Sequence, residues 1–125
     1  MPFGDKIDNI KNDILGKKYS LSIAFVSKKK SREINKKYRK KDKPTNVLSF
    51  ALRKNEGELV LCKTVIESEA RLRLSASDRQ AKKINKTYKE WLTILIIHGM
   101  LHLKGYDHGE QMEKLEEKYL SRTKF

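Results

Sequence analysis

Apolar residues recur every three or four positions over several segments of the chain, the spacing typical of helices that bury one face. The first segment opens at Asp5, a residue that can cap a helix, and the last carries Met112, Leu115 and Tyr119 on one face. From Trp91 onward the longest segment is apolar on nearly all sides, which predicts a buried helix. The predicted helices cover about residues 5–15, 28–39, 64–74, 78–102 and 109–122.

Three shorter apolar segments lack helical spacing and are predicted to be strands. In the first, Leu21, Ile23 and Phe25 alternate with smaller residues. The second and third are separated by a polar turn centred on Gly57, so we expect them to pair as a hairpin. These strands cover residues 20–26, 46–52 and 58–62.

The order of these elements predicts an α+β fold. We expect a small mixed sheet of three to four strands, packed against about five helices, with the long apolar helix at the centre. At 125 residues, the chain is expected to form a single domain over residues 1–125.

The second predicted helix breaks two local rules. Ser27 can cap it, but only Ile34 and Tyr38 form an apolar pair at i, i+4 spacing. Residues 28–30 are all lysines, which oppose the helix dipole at this end. Lysines in this unfavourable position either mark a binding surface or are simply tolerated.

The chain is strongly basic, with 29 lysine and arginine residues against 16 aspartate and glutamate residues and a net charge of +13. This excess favours a polyanionic partner, because each phosphate contact releases condensed counterions. A basic surface that only confers solubility is the simpler alternative. Binding to a membrane surface is not expected, because no segment combines a strong apolar face with a basic one.

Several features favour the cytoplasm. Cys62 is the only cysteine, so no internal disulfide can form, and its place in an apolar strand predicts a buried, inert thiol. The first residues are polar and charged, unlike a secretory signal. The apolar run "WLTILIIHGML" is too short to span a bilayer.

The three histidines of the chain all lie in "HGMLHLKGYDH", residues 98–108. His98 and His102 are four residues apart, so on a helix they project from one face. Gly105 permits a sharp turn that can return His108 as a third ligand. Three protein ligands with an open fourth position are typical of a catalytic zinc. A hydrogen-bonded core histidine, or a structural zinc with a fourth ligand such as Cys62, are the alternatives.

The spacing of these histidines also matches the HExxHxxGxxH motif of zinc peptidases. Those enzymes use the glutamate beside the first histidine as a general base. Gly99 occupies that position here and has no proton acceptor. Another group, or the metal itself, must therefore activate water.

Three blocks of sequence resemble the YbeY family of bacterial zinc-dependent endoribonucleases. "HGMLHLKGYDH" matches the family signature HGxLHLxGYDH at every specified position. "YRKKDKPTNVLSF", residues 38–50, resembles its Tyr-Arg, Asp-x-Pro-Thr and Val-Leu-Ser-Phe block. "GELVLC", residues 57–62, resembles its Gly-Asp-Ile-x-Ile strand. The blocks follow the family's order.

The resemblance implies one Zn²⁺ per chain, held by His98, His102 and His108, and a functional arginine at Arg39. It also implies cleavage of single-stranded RNA, maturation of the 3′ end of small-subunit ribosomal RNA, and ribosome quality control. Implied partners are ribosomal RNA, the small ribosomal subunit and its assembly factors, with no role for DNA or a membrane.

The chain departs from the family pattern at three places. The family usually begins with an additional N-terminal strand, whereas this sequence opens on its first helix, which favours three strands over four. Ala51 stands where a proline usually follows Ser-Phe, and lysines replace the acidic opening of the second helix. None of these changes touches the proposed ligands.

Other residues near the motifs have less specific roles. Arg39 is either a surface arginine or a phosphate clamp, for which its bidentate fork is suited. Asp107 is expected to cap the last helix or support a histidine, and less so to act as a base. Ser49 and Thr45 are candidates for hydrogen bonds to substrate, although Thr45 can equally stabilise its turn.

The basic run of residues 28–43 is either a solvated helix face or a track for RNA. If it is an RNA track, contacts are expected from Lys36, Lys37, Arg39, Lys40, Lys41 and Lys43.

We therefore expect a zinc-dependent endoribonuclease that acts on ribosomal RNA, with His98 as a catalytic metal ligand beside Arg39 and Asp107. A ribosome-assembly factor that binds RNA with weak or no catalysis, and whose zinc is structural, is the alternative. Another metallohydrolase, such as a peptidase, is disfavoured by Gly99 and by the basic surface.

Overall fold

The structure, a computed structural model, describes residues 2–75, 77 and 81–123. The described residues form five helices and one mixed three-stranded sheet, which confirms the predicted α+β fold. In chain order the elements are α1 (Phe3–Ile14), β1 (Ser20–Phe25), α2 (Lys28–Arg39), β2 (Val47–Arg53), β3 (Glu56–Leu61), α3 (Lys63–Leu72), α4 (Ala81–Lys104) and α5 (Glu110–Ser121).

The sheet has the strand order β1-β3-β2, with β3 in the middle. β2 and β3 pair antiparallel, as the hairpin prediction required, while β1 and β3 pair parallel. The predicted turn position was wrong, because Lys54 and Asn55 form the turn and Gly57 lies inside β3, opposite Leu21. Gly57 is needed there because a Cβ atom would collide with the Tyr19 hydroxyl and approach Leu103.

Helix α4 forms the centre of the molecule. It packs against β2 and β3 of the sheet and also against α1, α3 and α5. From Trp91 onward α4 is apolar on nearly all sides because neighbouring elements cover it on several sides. The buried core joins Ile7, Ile10, Ile14, Leu59, Leu61, Ile66, Leu92, Leu95, Ile96, Ile97, Met100, Leu101 and Met112.

Helix α2 is held mainly by polar contacts. Ser27 caps it as predicted, accepting a hydrogen bond from the Lys30 amide at 3.1 Å. Its buried positions are Ser31, 2% exposed, and Asn35, 1% exposed. The Ser31 hydroxyl bonds both the carbonyl and the amide of Thr45, at 3.0 and 2.9 Å. The poor amphipathicity is thereby explained, because this helix is anchored by backbone groups of the following loop.

The Asn35 side chain adds a second anchor, since its amide nitrogen donates to the Lys43 carbonyl at 2.8 Å. These bonds connect the middle of α2 to the segment that leads into β2. The Asn35 Oδ1 atom is buried and has no hydrogen-bond partner among the described residues. The bonds of the Ser31 hydroxyl and the Asn35 nitrogen fix the path of the loop along the helix.

The N-terminal ends of α1 and α4 were also predicted from the sequence. Asp5 is not the cap of α1, because Pro2 occupies the N-cap position and Asp5 lies in the first turn, where its charge favours the helix dipole. The predicted beginning of α4 at about residue 78 lies outside the described residues.

Cys62 is buried, free and directly before α3, as expected of an inert thiol. Among the described residues, no helix combines the length and the apolar character needed to cross a bilayer.

We predict that Lys40→Gly stabilises the protein. Lys40 ends α2 in the left-handed conformation, with φ of 57°, which side chains with a Cβ atom adopt at a cost. The free energy of unfolding should rise by about 1 kcal/mol in urea denaturation. Lys41→Gly is the matched control, because Lys41 lacks a positive φ and should lose stability instead. Equal effects of the two changes would contradict this interpretation.

Candidate metal centre

The turn after α4 carries one histidine back toward the helix. His98 and His102 lie on successive turns of α4. The helix ends at Gly105, whose φ of 112° suits glycine, and the Tyr106 amide donates back to the Leu101 carbonyl at 3.0 Å. This reversal places His108 beside the other two rings before α5 begins.

The three imidazoles converge, as their spacing predicts. Ligand nitrogens of His98, His102 and His108 all lie within 4.8 Å of one another. The ring centroids are 4.6 to 4.9 Å apart, and the Nε2 atoms of His98 and His102 are separated by 3.0 Å. His98 and His102 are half-buried, whereas His108 is exposed. The three histidines are therefore positioned to bind one metal ion.

Two acceptors behind the rings determine which nitrogen faces the centre. The Nδ1 atom of His98 lies 2.5 Å from Oε1 of Glu116, and Nδ1 of His102 lies 3.0 Å from the Tyr106 carbonyl. A carbonyl and a carboxylate accept, so in the neutral rings each Nδ1 carries the proton and each Nε2 presents its lone pair. A cation bound by the two Nε2 atoms, which lie 3.0 Å apart, would satisfy both lone pairs. The site therefore fits a metal.

The electrostatics of His102 also favour ligation. Burial, followed by the neighbouring His98, lowers the pKa of His102 below its ordinary value of 6.5. The Tyr106 carbonyl and the charge of Asp107 oppose this shift. The lowered pKa keeps the ring neutral, and only the neutral imidazole binds a metal.

Glu116 was not identified from the sequence. It lies on α5, four residues after the buried Met112 and three before Tyr119. The sequence did hold a signal for it, since Glu116 interrupts the apolar stripe of α5. A carboxylate that is partly buried in this way requires a hydrogen-bonding or charged partner. Its partner, His98, lies on another helix, so the pairing depends on how α4 and α5 pack.

Gly99 shows why the glutamate of zinc peptidases has no equivalent here. A Cβ atom at this position would lie 2.7 Å from Cδ2 of Leu59 and 3.1 Å from the Ser49 hydroxyl. The hydroxyl also donates to the Gly99 carbonyl at 3.1 Å. The sheet approaches the helix too closely for a larger residue, and this geometry argues against the peptidase alternative.

The histidines open onto a cavity of about 820 Å³. Arg39, at the end of α2, lines the same cavity, although it lies on a different helix far from His98 in sequence. Arg39 has no ionic partner within the described part of the chain, so its guanidinium can bind a ligand. Thr45 and Ser49 line this cavity too. The Ser49 hydroxyl already donates to the Gly99 carbonyl, whereas the internal hydrogen bonds of Thr45 are made by its backbone.

Asp107 does not cap the last helix. Gly109 is the N-cap residue of α5, and no side chain bonds the helix end. Asp107 is exposed and acts on His102 through its charge. The direct supports of the histidines are Glu116 and the Tyr106 carbonyl.

One wall of the cavity is held by a second carboxylate. Glu69 accepts hydrogen bonds from the Trp91 indole at 3.2 Å and from the Asn46 amide at 3.1 Å, and both donors line the cavity. The Arg73 guanidinium lies over the Trp91 ring, 4.4 Å from its centroid. These contacts hold Asn46 and Trp91 in place in the lining of the cavity.

An α+β fold in which three histidines converge at the end of the central helix defines a class of protein that can bind a metal ion through three imidazoles. The chain belongs to the YbeY family, because the family model described as "Endoribonuclease YbeY" matches residues 5–124.

Similar proteins carry the same description. "Endoribonuclease YbeY" of Aquifex aeolicus is 39% identical over 100 residues, which cover 78% of this chain and 63% of that protein. The Thermosipho melanesiensis protein of that name is 32% identical, covering 90% of this chain and 80% of its own length. The Cupriavidus necator protein is 41% identical, but the match spans only 46% of it.

The fold also resembles a solved structure. The solution structure of TM1509 from Thermotoga maritima is 28% identical, with a TM-score of 0.62, and the match covers 95% of this chain and 77% of that one.

We predict that Glu116→Gln weakens metal binding without unfolding the protein. Loss of the charged acceptor should reduce the basicity and the fixed orientation of the His98 ring. The affinity for Zn²⁺, measured by competition with a chelating dye, should fall by about 10- to 100-fold. Glu117→Gln, on the exposed side of α5, is the control and should bind like the wild type. The same affinity in both variants would remove Glu116 from the site.

We predict that acid destabilises the metal-free protein through His102. Because the pKa of His102 is lowered in the folded state, the unfolded chain takes up this proton first as the pH falls. Stability should therefore be fully present above the ordinary value of 6.5 and decline as the pH drops toward the lowered pKa. Urea unfolding with a chelator at about pH 7.5 and about pH 5.5 measures the change. His102→Gln should show a smaller pH dependence, and an unchanged one would refute the linkage.

Proposed function

We propose that residues 1–125 form a single metal-dependent endoribonuclease domain. Its proposed substrate is single-stranded RNA, and its proposed role is maturation of the 3′ end of small-subunit ribosomal RNA. Membership of the YbeY family supports this proposal. The observation that carries it is the set of three convergent histidines, which share one cavity with Arg39.

The proposed cofactor is one Zn²⁺ per chain. His98, His102 and His108 would hold it, since three imidazole nitrogens suit zinc and leave a further position open. A bound metal supplies Lewis-acid polarisation of a phosphoryl oxygen and of water.

The chain's own residues prepare the site. Glu116 and the Tyr106 carbonyl hold two rings with Nε2 directed inward. Arg39 can bind two oxygens of one phosphate through its planar fork and stabilise charge that grows there during cleavage. Asp107 acts on His102 as a charged neighbour, and its exposed position outside the cavity lining disfavours a role as base.

The basic run supports an RNA track leading to this cavity. Arg39 lies inside it, and its exposed lysines have no hydrogen bonds that would occupy their amines within the described residues. Glu33 and Asp42 are the two acids of this run, and Arg32 pairs with Asp42 at 2.6 Å. The proposed phosphate contacts are Lys36, Lys37, Lys40, Lys41 and Lys43.

The small ribosomal subunit and its assembly factors are the proposed partners, with ribosome quality control as the wider role. DNA and membranes are not proposed as ligands. The reducing cytoplasm is the proposed compartment, which suits a chain with one free, buried thiol.

The test compares metal content with RNA cleavage in one preparation. Metal analysis should give one zinc per chain, and RNA with an unpaired 3′ extension should be cut in that extension. A chelator and His102→Ala should each abolish cleavage. Bound RNA with no cleavage at stoichiometric zinc would instead support the assembly factor with a structural metal. Stoichiometric metal in His102→Ala would contradict the ligand assignment.

We predict that Arg39→Lys slows cleavage while metal content and folding are retained. Lysine keeps the charge but loses the bidentate fork, so cleavage should fall by about 10- to 1,000-fold. RNA affinity should change little, because other basic residues flank this position. Single-turnover cleavage measures the effect, with Lys41→Arg as the control for an exposed basic position. Unaltered cleavage by both Arg39→Lys and Arg39→Ala would remove Arg39 from the mechanism.

A further inference from the structure

An exposed tyrosine and a half-buried phenylalanine form a ridge beside the metal centre. Tyr38, on the last turn of α2, is 60% exposed. Its ring meets that of Phe50, on β2, edge to face, with centroids 5.2 Å apart and an angle of 69° between the planes. This pair is called the aromatic ridge below. A tyrosine so exposed buries little of its apolar area within the chain, so its ring is available to a ligand.

The aromatic ridge separates two cavities. Tyr38, Ser49 and Phe50 line both the cavity of the histidines and a neighbouring groove of about 660 Å³. A ligand bound across the ridge would therefore contact both the cavity of the histidines and the groove. This continuity makes the groove an extension of the site.

The charges of the groove favour a chain with phosphates. Lys30 and Lys37 line it together with one acid, Glu33, so its rim has a net positive charge. The Lys37 amine lies over the Tyr38 ring, 5.2 Å from its centroid, which places a cation beside the ring on which a base would stack. Ile34 and the exposed Leu52 supply the apolar floor. An apolar floor with a cationic rim suits a flat base joined to a phosphate.

We propose that the aromatic ridge stacks one unpaired base of the RNA, with Lys30 and Lys37 contacting the phosphate that follows it into the groove. This inference rests on the proposed function and names the recognition element of its substrate. It supplies a reason for single-strand preference, because a base within a duplex cannot turn its face to a protein ring. The ridge thus positions the strand, while the histidines and Arg39 act on the neighbouring phosphate.

The test uses single-stranded RNA that contains 2-aminopurine, a base whose fluorescence is quenched by stacking. The wild type should quench it on binding. Tyr38→Leu should lose the quenching and weaken affinity by about 5- to 150-fold, equivalent to about 1–3 kcal/mol. Tyr38→Phe, which keeps the ring, should recover most of both. Phe25→Leu is the matched control, because Phe25 is 52% exposed on β1, at the opposite edge of the sheet.

Two further readouts separate stacking from a structural effect. Zinc content of Tyr38→Leu should equal that of the wild type, and in cleavage assays KM should rise with little change in kcat. Lys30→Gln and Lys37→Gln should each reduce the slope of log affinity against log salt by about 0.7 while quenching remains.

Several outcomes would overturn the inference. Equal RNA affinity and quenching in the wild type and Tyr38→Leu would exclude stacking, even if both proteins cleave RNA and the proposed function stands. Concentration-dependent dimerisation that Tyr38→Leu abolishes, with RNA binding unaltered, would make the ridge a contact between copies of the chain. A wild type that quenches the base but never cleaves would retain the ridge and defeat the proposed function.

Discussion

The close approach of α4 to the sheet at Gly99 is the constraint on which the metal centre depends. Leu59 is fully buried against this glycine, and the Ser49 hydroxyl reaches its carbonyl at 3.1 Å. Because residue 99 has no side chain, α4 can approach the side chains of β2 and β3 closely at this point, and His98 lines one cavity with residues of β2. The same contact leaves no room for a glutamate at residue 99, so the chemistry must use groups from other elements.

Those groups come from two other helices. Helix α5 supplies Glu116 to orient His98, while the end of α2 supplies Arg39 to the lining of the cavity. The position of α2 depends on Ser31 and Asn35, whose buried side chains bond the backbone of the loop that precedes β2. Helix α2 has no apolar stripe to anchor it and is held by these hydrogen bonds instead. Its other faces can therefore carry lysines.

This division of roles explains the unusual composition. The apolar residues of the chain are concentrated in α4 and the elements around it, whereas α2 carries charge and exposed aromatic surface. The end of α2 and the half-buried His98 and His102 line one cavity, so the basic surface and the candidate metal centre are adjacent. Burial lowers the pKa of His102, which favours its neutral form beside these positive charges.

The sequence by itself determined the elements, the α+β class and the convergence of the three histidines, because hydrophobic period and i, i+4 spacing are local properties. Ser27 as a cap and the buried face of α5 were predictable for the same reason. Local patterns could not show that Pro2 rather than Asp5 precedes α1, or that Gly57 lies within a strand, since its need for glycine comes from Tyr19 and Leu103. Only the tertiary structure paired Glu116 with His98 and joined Arg39 and the Tyr38 ring to the same cavity, because these contacts connect residues distant in sequence through the packing of separate helices.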